Sequence, residues 1–180
     1  MPRIINAILL RREFYEAVAA DPHATGPAAG IVCLTALARE SFGLASMAQL
    51  HPIWGLAALS VVIVALAAWL LYGAFAYAVA RLLAPGPVEF RRVLRCLGFA
   101  ETVTILRLIA FLVQPGFLPP SAVAPLAWTL HVVLLAWGFA AVFVAMRAAA
   151  PAPPLRVLLI TVPTFVAQQA VLAVGRAVAY

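Results

Sequence analysis

The stretch RRVLRCLGFAETVTILRLIAFLV, Arg91 to Val113, reads as a helix of membrane-spanning length, yet it holds Arg95, Glu101 and Arg107 inside it. A span takes about 20 predominantly apolar residues, and charge within one is costly unless the bundle interior supplies partners. The stretch therefore sets the class of fold and raises the question of where its charges go.

Composition agrees with a membrane solvent. The chain is 66% hydrophobic and 10% charged, against roughly 45–50% and about 25% in soluble domains. A few spans use up 180 residues and leave no room for a separate soluble domain. All 12 basic residues are arginine and the net charge is +6. No basic cluster accompanies it, so the charge reads as cytoplasmic anchoring rather than nucleic-acid binding. Cys33 and Cys96 sit in apolar runs without CxxC spacing, as small buried hydrophobes rather than a disulfide or metal site. No nucleophile elbow, HExxH or phosphate-cradling loop occurs, and the lone aspartate, Asp21, lies in a turn. The expectation is a non-enzyme with no catalytic, cofactor-binding or metal-binding residues.

Working outward, the expected fold is an all-α, polytopic membrane helix bundle with five transmembrane helices and an N-terminal interfacial amphipathic helix. Residues 1–24 form the cytoplasmic interfacial helix and turn, with Ala7, Leu10, Phe14 and Val18 on one stripe and Arg11 and Arg12 reaching toward headgroups. Its apolar core is too short for a cleaved signal peptide. Asp21-Pro22 and Gly26-Pro27 break this helix, and Thr25 is placed to cap the next. Residues 25–180 hold the five spans, at about 27–47, 53–83, 93–113, 122–146 and 155–174. The second is long and almost uncharged, with Trp54, Tyr72 and Tyr77 as aromatic belts. Gly26 and Gly30 have the GxxxG spacing of a close helix contact, and Pro125 and Pro163 lie near helix starts. With the N-terminus cytoplasmic, Arg3, Arg11, Arg12, Arg81, Arg91, Arg92, Arg95, Arg147 and Arg156 all fall inside. The outer loops, around His51-Pro52 and Pro115 to Ser121, carry none, and Arg176 alone falls outside. Arg11, Arg12, Arg91, Arg92 and Arg95 are thus expected to face cytoplasmic lipid.

Depth along upright helices brings Arg39, Glu40, Arg107, His131, Gln168 and Gln169 to one level, with Glu101 nearer the cytoplasm at roughly 12 Å. Depth and sign favour Glu40 with Arg107. Glu101 and Arg107, six apart, stand about 120° apart around an α-helix, so Glu101 must look to another helix, with Arg39 as its expected partner. Two readings of this polar layer stand side by side: a clasp that fixes which helices pack together, and a path for an ion or proton.

Three places, INAILLRREFYEAVAADPHATGPAAGIV, YAVARLLAPGPVEFRRVLRCLGFAET and the alternation of spans to the end, resemble the bacterial branch of the Yip (Ypt-interacting protein) domain family. Gly98-Phe99 stands at that family's glycine–aromatic pair, with phenylalanine where tyrosine is usual and Thr102-Val103-Thr104 where a proline often follows. The Asp-Leu-x-Gly-Pro motif of eukaryotic members is absent. The resemblance therefore implies a fold and a five-span topology rather than Rab-GTPase binding. The functional expectation is a non-enzymatic multi-pass protein of the cell (inner) membrane that organises membrane or protein partners, with anionic headgroups at its cytoplasmic face and protein partners or a homo-oligomer as its associates. The alternative is a small oligomeric channel or transporter that uses the intramembrane charges.

Overall fold

The structure, a computed structural model, describes residues 3–50, 54–112 and 120–179, with side chains described outside 41–50, 54, 107–112, 120–124, 172 and 174–179. The described elements are all helices, without strands: α1 (Arg3–Ile8), α2 (Arg12–Ala20), α3 (Thr25–Leu50), α4 (Trp54–Leu83), α5 (Phe90–Ala100), α6 (Pro120–Ala149) and α7 (Pro154–Ala179). A 3-10 turn, Pro22–Ala24, precedes α3, and a 3-10 helix, Glu101–Leu112, continues from α5. The expected loop at His51-Pro52 and the turn at Gln114-Pro115-Gly116 lie outside the described residues.

Among the described residues three helices are long and apolar enough to cross a membrane: Gly55–Leu83 of α4, Pro125–Ala149 of α6 and Pro154–Val171 of α7. The first and third expected spans are not among them. Arg39 and Glu40 interrupt α3, and the third is no single α-helix. Its α-helical part ends at Ala100, where the β-branched Thr102-Val103-Thr104 follows. Such residues are stiff at χ1, and threonine hydroxyls compete for backbone carbonyls; here Thr102 Oγ1 donates to Phe99 O at 2.7 Å.

Around α5 and its 3-10 continuation everything else is arranged. They pack against α2, α3, α4 and α6, while α7 closes on α4 and α6. Every residue from Val93 to Ala100 is buried. Small residues let the backbones approach, as they do where lipid removes the hydrophobic drive for helix association. A Cβ on Gly98 would stand 2.8 Å from that of Ala28 in α3, and Gly73 of α4 leaves room for Leu94 Cδ2. Trp69 Nε1 donates to Leu94 O at 3.2 Å, fastening α4 to the same turn. The close contact of α3 is thus made at Ala28, whereas Gly26 and Gly30 are exposed and a Cβ on either would meet nothing. The expected GxxxG contact is corrected accordingly.

The N-terminal segment is two helices, not one. Leu10 adopts φ 53°, the left-handed region, while Leu10 N–H donates to Ala7 O and Arg11 N–H to Asn6 O, each at 3.1 Å. This pair of bonds is a Schellman stop, usually built on glycine. Ala7, Leu10, Phe14 and Val18 still share one side, and that side packs on the protein core. Tyr15 OH donates to Ala7 O at 3.2 Å and Trp137 Nε1 of α6 to Ile8 O at 3.0 Å, closing the hairpin onto the bundle. Burial pushes the Tyr15 hydroxyl well above its ordinary range. At the turn into α3 the cap is Asp21, whose Oδ1 accepts from His23 N–H at 2.9 Å; Thr25 is already helical, so its expected capping role falls to Asp21.

Candidate functional site

Glu101 stands where α5 gives way to the 3-10 helix, with its carboxylate engaged by α4 and α7. Its residue is 7% exposed. Oε1 accepts from Tyr72 OH of α4 at 2.8 Å and from Gln168 Nε2 of α7 at 2.6 Å. Oε2 accepts from Thr104 Oγ1 at 3.2 Å. One carboxylate thereby joins three elements through two hydroxyls and an amide, and bonds to an ionised acceptor are stronger than neutral ones. Beside it lies a cavity of about 20 Å³, enough for the centre of one water molecule. Glu101, Thr104, Gln168 and Gln169 form its polar wall.

The bond from Thr104 reflects the helix type. In a 3-10 helix residues three apart eclipse one another, so Glu101, Thr104 and the backbone position of Arg107 fall on one line. The α-helical angle that separated Glu101 from Arg107 does not apply here. The Arg107 side chain lies outside the described residues.

Arg39, Glu40 and His131 of the expected layer do not line the cavity beside Glu101. Arg39 Nε donates to Glu40 Oε1 at 3.0 Å. This pairing between neighbours on α3 stands in place of the expected partnership of Arg39 with Glu101, while the expected partnership of Glu40 with Arg107 falls on a side chain outside the described residues. The pairing on α3 is favoured because adjacent side chains neutralise each other without requiring a second helix to approach. His131 is exposed on α6, stacked on Trp128 with ring centroids 6.3 Å apart. It stands about 24 Å along α6 from Arg147, as an outward-facing aromatic-belt neighbour rather than an interior group. Gln168 is buried and Gln169 half-buried, both at the cavity.

Among the arginines expected to face lipid, Arg11, Arg12 and Arg91 are exposed and Arg92 is half-buried, donating to Ala19 O at 3.5 Å. Arg95 is corrected: it is 5% exposed, and its guanidinium donates to Asp21 O and to Arg91 O. The turn after α2 covers it, so the cation serves as a cap for that turn. Cys96 is buried and Cys33 half-buried, both as free thiols.

Tyr72, expected in an aromatic belt, is 4% exposed and belongs to the site. The signal was present in its own helix: Trp69, Tyr72, Ala76 and Ala80 recur at helical spacing and are all buried, so large and small residues share one packing face. Phe99 of the Gly98-Phe99 pair is buried edge-on to Phe14, with centroids 5.3 Å apart.

Apolar helices of spanning length around a hydrogen-bonded interior carboxylate define a helical membrane protein, embedded in a lipid bilayer. More narrowly, the chain belongs to the Yip1 domain family, whose model matches residues 6–175. Comparison with curated proteins gives no match, and neither does comparison with solved structures.

Proposed function

We propose that this Yip1-domain protein is a non-enzymatic, five-span organiser of membrane or protein partners in the cell (inner) membrane, with its N-terminus in the cytoplasm. In this reading α3 and the α5–3-10 segment are the inner pair of spans, shielded from lipid by α4, α6 and α7. Glu101 is the clasp that ties the 3-10 segment to α4 and α7. The observation that carries the reading is the carboxylate's engagement with Tyr72 and Gln168, which commits it to holding α4, α7 and the 3-10 helix together. Arg81 and Arg91, with Arg147 and Arg156, lie beside the two turns assigned to the cytoplasmic face, where exposed Arg91, Arg11 and Arg12 meet anionic headgroups.

Topology is tested in a Cys33→Ser, Cys96→Ser background with single cysteines at His23, Glu89 and Gly116. Membrane-impermeant thiol reagent applied from outside should label only the Gly116 position. Labelling at Glu89 from outside overturns the orientation. In liposomes the intact protein should pass neither protons nor common ions. A flux abolished by Glu101→Gln overturns the organiser reading in favour of a channel or transporter.

A further inference from the structure

We propose that the cavity beside Glu101 binds one small monovalent cation of sodium's size, held entirely by oxygen. The wall offers a carboxylate, the Thr104 hydroxyl and the amides of Gln168 and Gln169. Hard oxygen ligands suit alkali and alkaline-earth ions, whereas imidazole and thiolate suit transition metals. Among the described residues no group of three or more His, Cys, Asp or Glu gathers to hold such a metal.

Charge and acceptor count narrow the class further. Among the described residues the donors to Glu101 are all neutral, so none of them cancels its charge. A buried carboxylate in a bilayer is expensive until its charge is matched. A monovalent ion matches one carboxylate, and a divalent ion would leave a net positive charge in its place. Gln168 Oε1 adds an acceptor: it is buried and has no hydrogen-bond partner, although the same amide's Nε2 is engaged with Glu101. Oε1 and Nε2 belong to one planar amide, so while Nε2 stays on Glu101 this oxygen is held beside the carboxylate as an acceptor in want of a partner. Size sets the upper limit. About 20 Å³ admits a largely dehydrated ion or one water and excludes any headgroup or metabolite. The ion would lock the clasp that the proposed function relies on, yet its binding requires neither transport nor the five-span topology.

The full chain in nanodiscs is unfolded thermally in sodium chloride and in choline chloride at equal ionic strength and fixed pH. Above its dissociation constant sodium should raise the midpoint with the logarithm of its concentration, by about 5–10 °C at about 100-fold above that constant. Glu101→Gln should abolish the sodium-dependent rise, so that this variant unfolds at the same midpoint in sodium and in choline, whatever its stability relative to the unaltered protein. Thr104→Val, which retains the charge, should shift the sodium titration about 10-fold toward higher concentration; it serves as the test if Glu101→Gln does not fold. Equal midpoints in sodium and choline overturn the proposal and leave a water or a proton at the site. A sodium effect that survives both substitutions overturns it by placing the ion elsewhere. Sodium binding without flux in liposomes upholds the site and leaves the organiser reading intact.

Discussion

The most hydrophobic helix of the molecule, α4, is among the most exposed, and the charged α5 is the most buried. Leu71 and Leu82 of α4 are 62% and 83% exposed, while α5, with three arginines in 11 residues, has no exposed residue after Arg91. In water this would be an inverted protein. In a bilayer it is what the energetics require: lipid tails solvate leucine as well as a protein core does, so apolarity marks the outer shell. Small residues, hydroxyls and amides mark the places where helices must find each other. Hydropathy thus locates the boundary with lipid, and the polar and small residues locate the core.

The contrast is tested most severely by truncating one large side chain on each side of it. Phe99→Ala, at the centre of the inner packing, should cost about 3–5 kcal/mol, whereas Leu71→Ala on the outer face of α4 should stay within about 0.5 kcal/mol. Reversible unfolding in detergent measures both, and equal losses would break the comparison. Arg95→Gln removes the guanidinium under the turn at Asp21 and should cost about 1.5–3 kcal/mol. It should also open the α1–α2 hairpin to protease before the rest of the chain. Gly98→Val places a branched side chain against Ala28 and should cost about 1–3 kcal/mol, while the same change at Gly30, with open space around it, should be far milder. The smallest effect concerns Tyr15. Its folded hydroxyl holds its proton above the range near 10 where the unfolded chain releases it, so stability is complete below that pH and falls as pH rises beyond it. Tyr15→Phe should lose about 1 kcal/mol at neutral pH and should flatten that alkaline decline in circular-dichroism melts.

Much of the helical plan is legible because long apolar runs bounded by Pro/Gly turns are strong signals. The stripe of Ala7, Leu10, Phe14 and Val18 was also legible, although its partner was taken to be lipid and is protein. For the site, the need of Glu101 for another helix could be read from its cost in the bilayer. Its partners could not, because charge arithmetic points to arginine while the fold offers Tyr72, Thr104 and Gln168. Arg39 illustrates the reverse error: depth points to Glu101 on another helix, and its partner is the adjacent Glu40 on its own. The burial of Arg95 depends on where a turn more than 70 residues away comes to rest, a long-range fact that no local pattern encodes.

The 3-10 helix that follows Glu101 also constrains how this region can change in length. Three residues make one full turn there and advance the chain by about 6 Å. Removing or adding a triplet would therefore keep the same residues facing inward and move only their depth. A four-residue change, close to a full turn and readily absorbed in an α-helix, would swing the inward face through about 120°. Insertions and deletions between Glu101 and Leu112 should accordingly be tolerated in threes, a periodicity that deletion scanning of this segment can read directly.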